Sequence, residues 1–306
     1  MKSKIILITG ATGGIGKETA RALARQGHTV VIHGRNKVKT QQVCEEIKSE
    51  TGNIKVDMLL ADLLLLSDVK YMADEFKKKY DRLDVLINNA GAMMNKNRET
   101  TKEGLEKTIV VNLLAPFLLT ELLLDVLAKS PSARIINVSS EMHKRGGKPD
   151  FKDFQLENSY SCARAYGLAK LYLIWISRHL ITEIKEKGLG HVTVNFVHPA
   201  TTNTNFGLDS DKGFLANLIF RVVMPFSLTP EQGAETSIYL ATSDEVEKVT
   251  GQYYGTKKKL AKVDDKYYSA ENEKIVWDYC KQITGPYLDI KVLATDGNLT
   301  ITEGIL

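Results

Sequence analysis

The sequence predicts a single α/β domain organised on a doubly wound parallel sheet with helices on both faces. Short apolar, β-branched runs alternate with helix-length amphipathic stretches along the chain, the pattern of strands joined by crossover helices. The first run, Ile5-Ile6-Leu7-Ile8, leads straight into Thr9-Gly10-Ala11-Thr12-Gly13-Gly14-Ile15-Gly16, which reads as a strand, a glycine turn and a helix start. Polar residues cluster just after the later strands, where ligands sit in such sheets.

The first helix spans 14–27, with Ile15, Thr19, Ala22 and Leu23 on one face and Gly27 as its stop. Strands follow at 29–33, 54–60, 84–87, 133–138 and 191–197. Helices fill the intervals at 37–51, 67–80, 100–129 and 164–187. Ser67 is the expected N-cap of the third, and Lys77, Lys78 and Lys79 fall in its last turn. The leucine run from Leu63 to Leu66 reads as core or subunit packing. The domain is expected over 1–286, and residues 287–306 form an extension to which the sequence assigns no role.

With 306 residues, 43% hydrophobic and 25% charged, the chain can bury a sizeable core and has the composition of an ordinary soluble protein. A net charge of +4, with lysines spread apart from the runs at 77–79 and 257–259, is too mild to argue for nucleic acid. Cys44, Cys162 and Cys280 stand far apart with no CxxC or Cys/His pairing, which points to a reducing compartment and no metal site. The chain enters its first strand at once, so neither a signal peptide nor an anchor is expected. The longest apolar stretch, 109–128, is interrupted by Asn112, Pro116, Thr120, Glu121 and Asp125 and reads as a buried helix. A cytoplasmic protein is the expectation.

A strand that reverses tightly into a helix needs glycine, and open backbone N–H groups at a helix N-terminus suit a pyrophosphate. The spacing Gly10, Gly14, Gly16 is not the GxGxxG fingerprint, so a ligand-free turn is the competing reading. The end of strand two discriminates the nucleotide. An NAD-binding fold usually carries an acid there for the ribose 2′-OH. Here Gly34 is followed by Arg35, whose guanidinium would grip a 2′-phosphate, which favours NADP(H); a surface-turn cap is the plainer alternative.

The catalytic candidates lie after strands four and five. Tyr166-Gly167-Leu168-Ala169-Lys170 places a phenol and an ammonium on one helical face. An adjacent cation is expected to lower the phenol's ordinary value near ~10, letting Tyr166 act as acid in reduction and base in oxidation. A hydroxyl at the tip of strand five would hold the substrate oxygen, and spacing alone does not separate Ser139 from Ser140. Asn112 is a polar residue in an apolar neighbourhood, which requires a partner or a task. Tyr160 and Arg164 repeat the Tyr-x-x-x-basic spacing but lie in a polar, helix-poor segment. His33 and His198 adjoin the cleft and read first as hydrogen-bonded structural residues.

Taken together, the TGATGGIG turn, Asp62-Leu63, the NNAG of Asn88 to Gly91, Asn112, the NVSS of Asn137 to Ser140, the Tyr166/Lys170 pair and His198-Pro199 resemble the classical short-chain dehydrogenase/reductase family, over roughly residues 5 to 285. Within it, Asn88-Asn89-Ala90-Gly91-Ala92-Met93-Met94 and Thr229-Pro230-Glu231-Gln232-Gly233-Ala234 are most similar to the retinol dehydrogenase-like branch. The resemblance implies a Rossmann-type fold and hydride transfer with Tyr166 as acid/base. It selects Ser140 to hold the substrate oxygen, assigns Lys170 to the nicotinamide ribose, and gives Asn112 a proton-relaying water. It further implies cofactor contacts from Gly10, Thr12, Gly13, Gly14, Ile15, Gly16, Arg35, Asp62, Leu63, Asn89, Ala90, Gly91, Pro199 and Thr204. Ala200 departs from the family's usual glycine after Pro199.

The apolar stretch 205–228 falls where the family places its substrate lid, so a lipophilic alcohol or carbonyl is the expected substrate. The same stretch would serve core packing, a homo-oligomer contact or a membrane-touching segment. A non-catalytic NADP-binding regulator or scaffold is the alternative function, and the joint presence of Asn112, Ser140, Tyr166 and Lys170 argues against it.

Overall fold

The computed structural model describes residues 3–199 and 228–288, with the backbone of Val292–Thr295 and Asn298–Ile301. Seven parallel strands, β1 (Ile5–Ile8), β2 (Thr29–Gly34), β3 (Val56–Leu60), β4 (Val85–Asn88), β5 (Ala133–Val138), β6 (Val192–Val197) and β7 (Tyr253–Tyr254), form one sheet in the order β3-β2-β1-β4-β5-β6-β7. The order reverses between β1 and β4, so their carboxyl ends diverge and open a crevice. This is the Rossmann-type doubly wound fold that the alternating pattern predicts.

Side-chain alternation explains why the strands are apolar throughout. In β1, Leu7 faces one layer while Ile6 and Ile8 face the other, and all three are fully buried. Helices α1 (Gly14–Arg25), α2 (Lys37–Thr51) and α6 (Pro230–Thr242) supply one layer, through Leu23, Ile47 and Leu240. The opposite layer is built from α3 (Leu66–Lys79), α4 (Lys107–Ala128), α5 (Cys162–Glu186) and α7 (Ala270–Thr284), with Phe76, Leu118, Trp175 and Trp277 at its centre. Helix α4 is long and apolar enough to cross a membrane by length and composition, yet 83% of its most apolar window is buried in this layer.

Two expectations need correction. Helix α4 begins at Lys107 rather than at residue 100, because Thr100 pairs with Glu106 across a turn and the Glu106 carboxylate caps the Thr108 and Ile109 amides at 2.9 and 2.7 Å. Ser67 does not cap α3. The Leu66 amide instead donates to the Glu103 carboxylate at 3.1 Å, a partner remote in sequence. In the 287–306 extension, β8 (Val292–Thr295) and β9 (Asn298–Ile301) pair as an antiparallel ribbon. Leu63 and Leu66 of the leucine run are buried in the core. Residues 205–227 of the expected lid, with Ala200 and Thr204, lie outside the described residues.

Candidate active site

The crevice is lined at β1 by the glycine turn. Gly10 adopts φ +65°, and a Cβ there would stand 2.9 Å from the Ala90 Cα, so only glycine lets the β1 turn meet the end of β4. The turn is clasped from both sides. The Asn89 amide donates to the Thr9 and Gly10 carbonyls at 2.8 and 3.2 Å, and the Ala90 N–H donates to the Thr9 hydroxyl at 2.9 Å. From β2, the His33 Nδ1 accepts the Gly10 N–H at 3.1 Å while Nε2 lies 3.1 Å from the Ala61 carbonyl. Burial lowers the His33 pKa to about 4, so the ring is neutral and donates through Nε2. Asn89, expected at a ribose, thus spends its amide protons on the turn itself.

Gly13 precedes α1 as an extended N-cap without a side-chain cap, and Gly14, Ile15 and Gly16 make the first turn, which carries no acid. Its leading N–H groups and positive helix end therefore remain open to an anion. Thr12 lies beside Gly34, whose Cβ would stand 2.4 Å from the Thr12 Cγ2. Arg35 follows with a side chain 73% exposed and 4.0 Å from the Asp62 carboxylate, which also accepts the Leu64 amide at 3.1 Å. A glycine cradle and an open helix terminus fit the pyrophosphate of a nicotinamide dinucleotide.

Asn112, Lys170 and Gly91 meet across the crevice. Asn112 lies in a π turn, Val110–Leu114, inside α4, and is fully buried. Its amide donates to the Ala92 and Thr108 carbonyls at 2.7 and 2.8 Å, and its oxygen accepts the Ala92 N–H at 3.2 Å. A Cβ on Gly91 would be 2.8 Å from that oxygen and 3.1 Å from the Lys170 Nζ. Beneath them runs a buried polar chain: Asn88 donates to Asn137 at 2.7 Å and Asn137 to Ser177 at 2.8 Å. Pro199 follows His198 at the end of β6.

Tyr166 and Lys170 lie one turn apart on α5, capped by Ser161, and are 7% and 2% exposed. The Lys170 Nζ donates to the Val138 carbonyl at 2.8 Å and sits 5.7 Å from the centre of the Tyr166 ring. The two serines separate here. Ser139 points its hydroxyl at the Lys170 carbonyl, 3.1 Å away, whereas the Ser140 hydroxyl accepts the Met142 N–H at 3.2 Å and lies on the Tyr166 side, close enough to the phenol to influence it. Tyr160 instead donates to the Asn95 carbonyl at 2.7 Å and Arg164 to the Gly146 carbonyl at 2.8 Å, so that second Tyr-x-x-x-basic pair faces elsewhere.

The expected lowering of the phenol by its lysine does not appear in the protein groups alone. Burial pushes Tyr166 up to about 12, with the Ser140 contact pulling against it, and brings Lys170 down to about 7. Desolvation disfavours the charged form of both groups and outweighs their proximity. An unfolded lysine holds its proton to about 10.4. Between about 7 and that value the unfolded chain therefore binds the extra proton, and stability rises with pH. Without added nucleotide, Lys170→Met is expected to remove from denaturation curves a slope approaching ~1.4 kcal/mol per pH unit across this window; an unaltered slope would refute the lysine's depressed value.

The family model for short chain dehydrogenases matches residues 4–212. Human polyprenol dehydrogenase is 40% identical over 260 residues, covering 82% of this chain and 76% of that protein. Retinol dehydrogenase 12 of Mus musculus is 38% identical over 251 residues, covering 82% and 77%. Among solved structures, a chain from Shigella flexneri 2a described as a short chain dehydrogenase complexed with NADP superposes with TM-score 0.65 at 26% identity, covering 82% of this chain and 96% of that one. An uncharacterised protein from Mycobacterium paratuberculosis reaches TM-score 0.72 at 26% identity, covering 92% and 93%.

Proposed function

The chain belongs to the short-chain dehydrogenase family, and from that premise we propose that it interconverts a lipophilic alcohol and its aldehyde or ketone with NADP(H), using Tyr166 as general acid and base. The carrying observation is the convergence of the Tyr166 phenol, the Ser140 hydroxyl and the Lys170 ammonium at the carboxyl end of β5 beside the glycine turn. When bound, the nicotinamide supplies or accepts the hydride. The chain's own residues manage the oxygen and its proton.

In reduction, Ser140 donates a hydrogen bond to the carbonyl oxygen and Tyr166 delivers its phenolic proton as negative charge develops there. A phenol held up at about 12 stays protonated at neutral pH and is still more acidic than the alcohol being formed, which suits this direction. Lys170 supplies a positive charge one turn away when protonated, and Asn112 fixes the peptides around Ala92 so that the crevice keeps its shape. The Gly10 to Gly16 turn would hold the pyrophosphate and Arg35 the 2′-phosphate, with Asp62 and Leu63 toward the adenine. The lipophilic class draws support from the retinol and polyprenol in the relatives' names and from the apolar sequence at 205–228.

Incubation with NADPH and a panel of lipophilic aldehydes and ketones, followed by the absorbance of reduced nicotinamide, is expected to show turnover. Tight NADPH binding without turnover of any member would instead support a scaffold.

A further inference from the structure

His143 is buried three residues beyond Ser140, in the 3₁₀ turn Glu141–Arg145 that Ser140 caps. Its Nδ1 lies 2.7 Å from the Ser140 carbonyl oxygen and its Nε2 lies 3.1 Å from the Asp264 amide nitrogen. A backbone N–H only donates, so Nε2 must accept. The ring is therefore the neutral Nδ1–H tautomer, and Nδ1 donates to Ser140. The Ser140 carbonyl also receives the His143 backbone N–H at 3.0 Å. Tyr253 packs edge-on against the imidazole, ring centres 5.5 Å apart, with its hydroxyl 3.4 Å from Nδ1.

This turn also rests directly on the catalytic helix. A Cβ on Gly167, next to Tyr166, would stand 2.6 Å from the Gly146 nitrogen and 2.8 Å from the Met142 carbonyl. The peptide that carries Ser140 is thus held between α5 and a segment more than a hundred residues downstream, and the imidazole is the side chain that joins the two.

We propose that His143 is a positioning residue for the reaction: its Nδ1–H fixes the Ser140 peptide so that the serine hydroxyl faces Tyr166, while Nε2 ties that peptide to Asp264. The inference rests on the reading of Ser140 as the group that holds the substrate oxygen. A small rotation of the peptide moves that hydroxyl away from the reacting oxygen, and misplacement on the scale of 1 Å is costly to rate.

Three variants separate the two bonds. His143→Asn keeps a donor at the Nδ1 position and loses the Asp264 acceptor, His143→Gln keeps the acceptor and loses the donor, and His143→Ala loses both. For the wild-type reaction and each variant, kcat, the KM for nucleotide and the melting temperature are measured. His143→Ala and His143→Gln are expected to lower kcat by about tenfold to a hundredfold with the nucleotide KM unchanged, and His143→Asn to stay within about threefold of wild type. Because Asn and Ala lose the same tie to Asp264, a general loss of structure would lower them together.

Hydrogen exchange provides a reading independent of turnover. The Met142 and His143 amides, which donate to Ser140, are expected to exchange about tenfold faster in His143→Ala and near the wild-type rate in His143→Asn. Unchanged exchange and kcat in His143→Ala, or rescue by Gln rather than Asn, would overturn the proposal. A wild-type protein that turns over no substrate overturns the functional reading instead, and the exchange pattern then still decides whether His143 holds the Ser140 peptide.

Discussion

Tyr166→Phe is expected to lower kcat by about 10²- to 10⁴-fold, the range that a positioned general acid contributes, and to leave nucleotide binding nearly unchanged. The side chain is 7% exposed and packed on α5, so phenylalanine fills the same space and only the hydroxyl is lost. Lys170 keeps its bond to the Val138 carbonyl, so its position does not depend on the phenol oxygen. Single-turnover absorbance of reduced nicotinamide, together with a nucleotide titration, distinguishes a lost proton from a lost site. Turnover within about tenfold of wild type would require another acid. Tyr160 is a poor candidate, because its hydroxyl is already bonded to the Asn95 carbonyl and it lies before α5 begins.

The sheet was legible because its information is local. The apolar runs of β1, β2, β4 and β5 are buried on both faces, and their chain order fixes which polar residues stand at their carboxyl ends. What could not be read depends on partners far away in sequence. Glu103 replaces the expected Ser67 cap, the start of α4 is set by a bridge that closes on Glu106, and His33 pins Gly10 from the neighbouring strand. Ser139 and Ser140 are equivalent by spacing, and only the packing of α5 sends one hydroxyl to the Lys170 carbonyl and leaves the other on the Tyr166 side. The direction of the phenol's shift among the protein groups alone is hidden from the sequence for the same reason. The spacing of Tyr166 and Lys170 shows their proximity but carries no measure of desolvation, which dominates both.

Arg35→Glu is expected to weaken NADPH by about tenfold to a hundredfold and NADH by no more than a few-fold, as measured by fluorescence titration with each nucleotide. A hydrogen bond to a charged group is worth about 1.5–3 kcal/mol, and the 73% exposure of Arg35 places its contribution toward the lower end. Reversing the charge adds repulsion to the lost attraction, since Asp62 already stands 4.0 Å from the guanidinium and a second carboxylate would leave both uncompensated. The same carboxylates would accept from a 2′-hydroxyl, so NADH has a compensating partner where NADPH has only opposed charge. Salt separates the contributions: NADPH affinity of the wild type should fall with ionic strength more steeply than that of the variant. Equal weakening of both nucleotides would move the 2′-phosphate to Lys37, because the Asn36 side chain is committed to the Lys39 amide at 3.0 Å as the cap of α2.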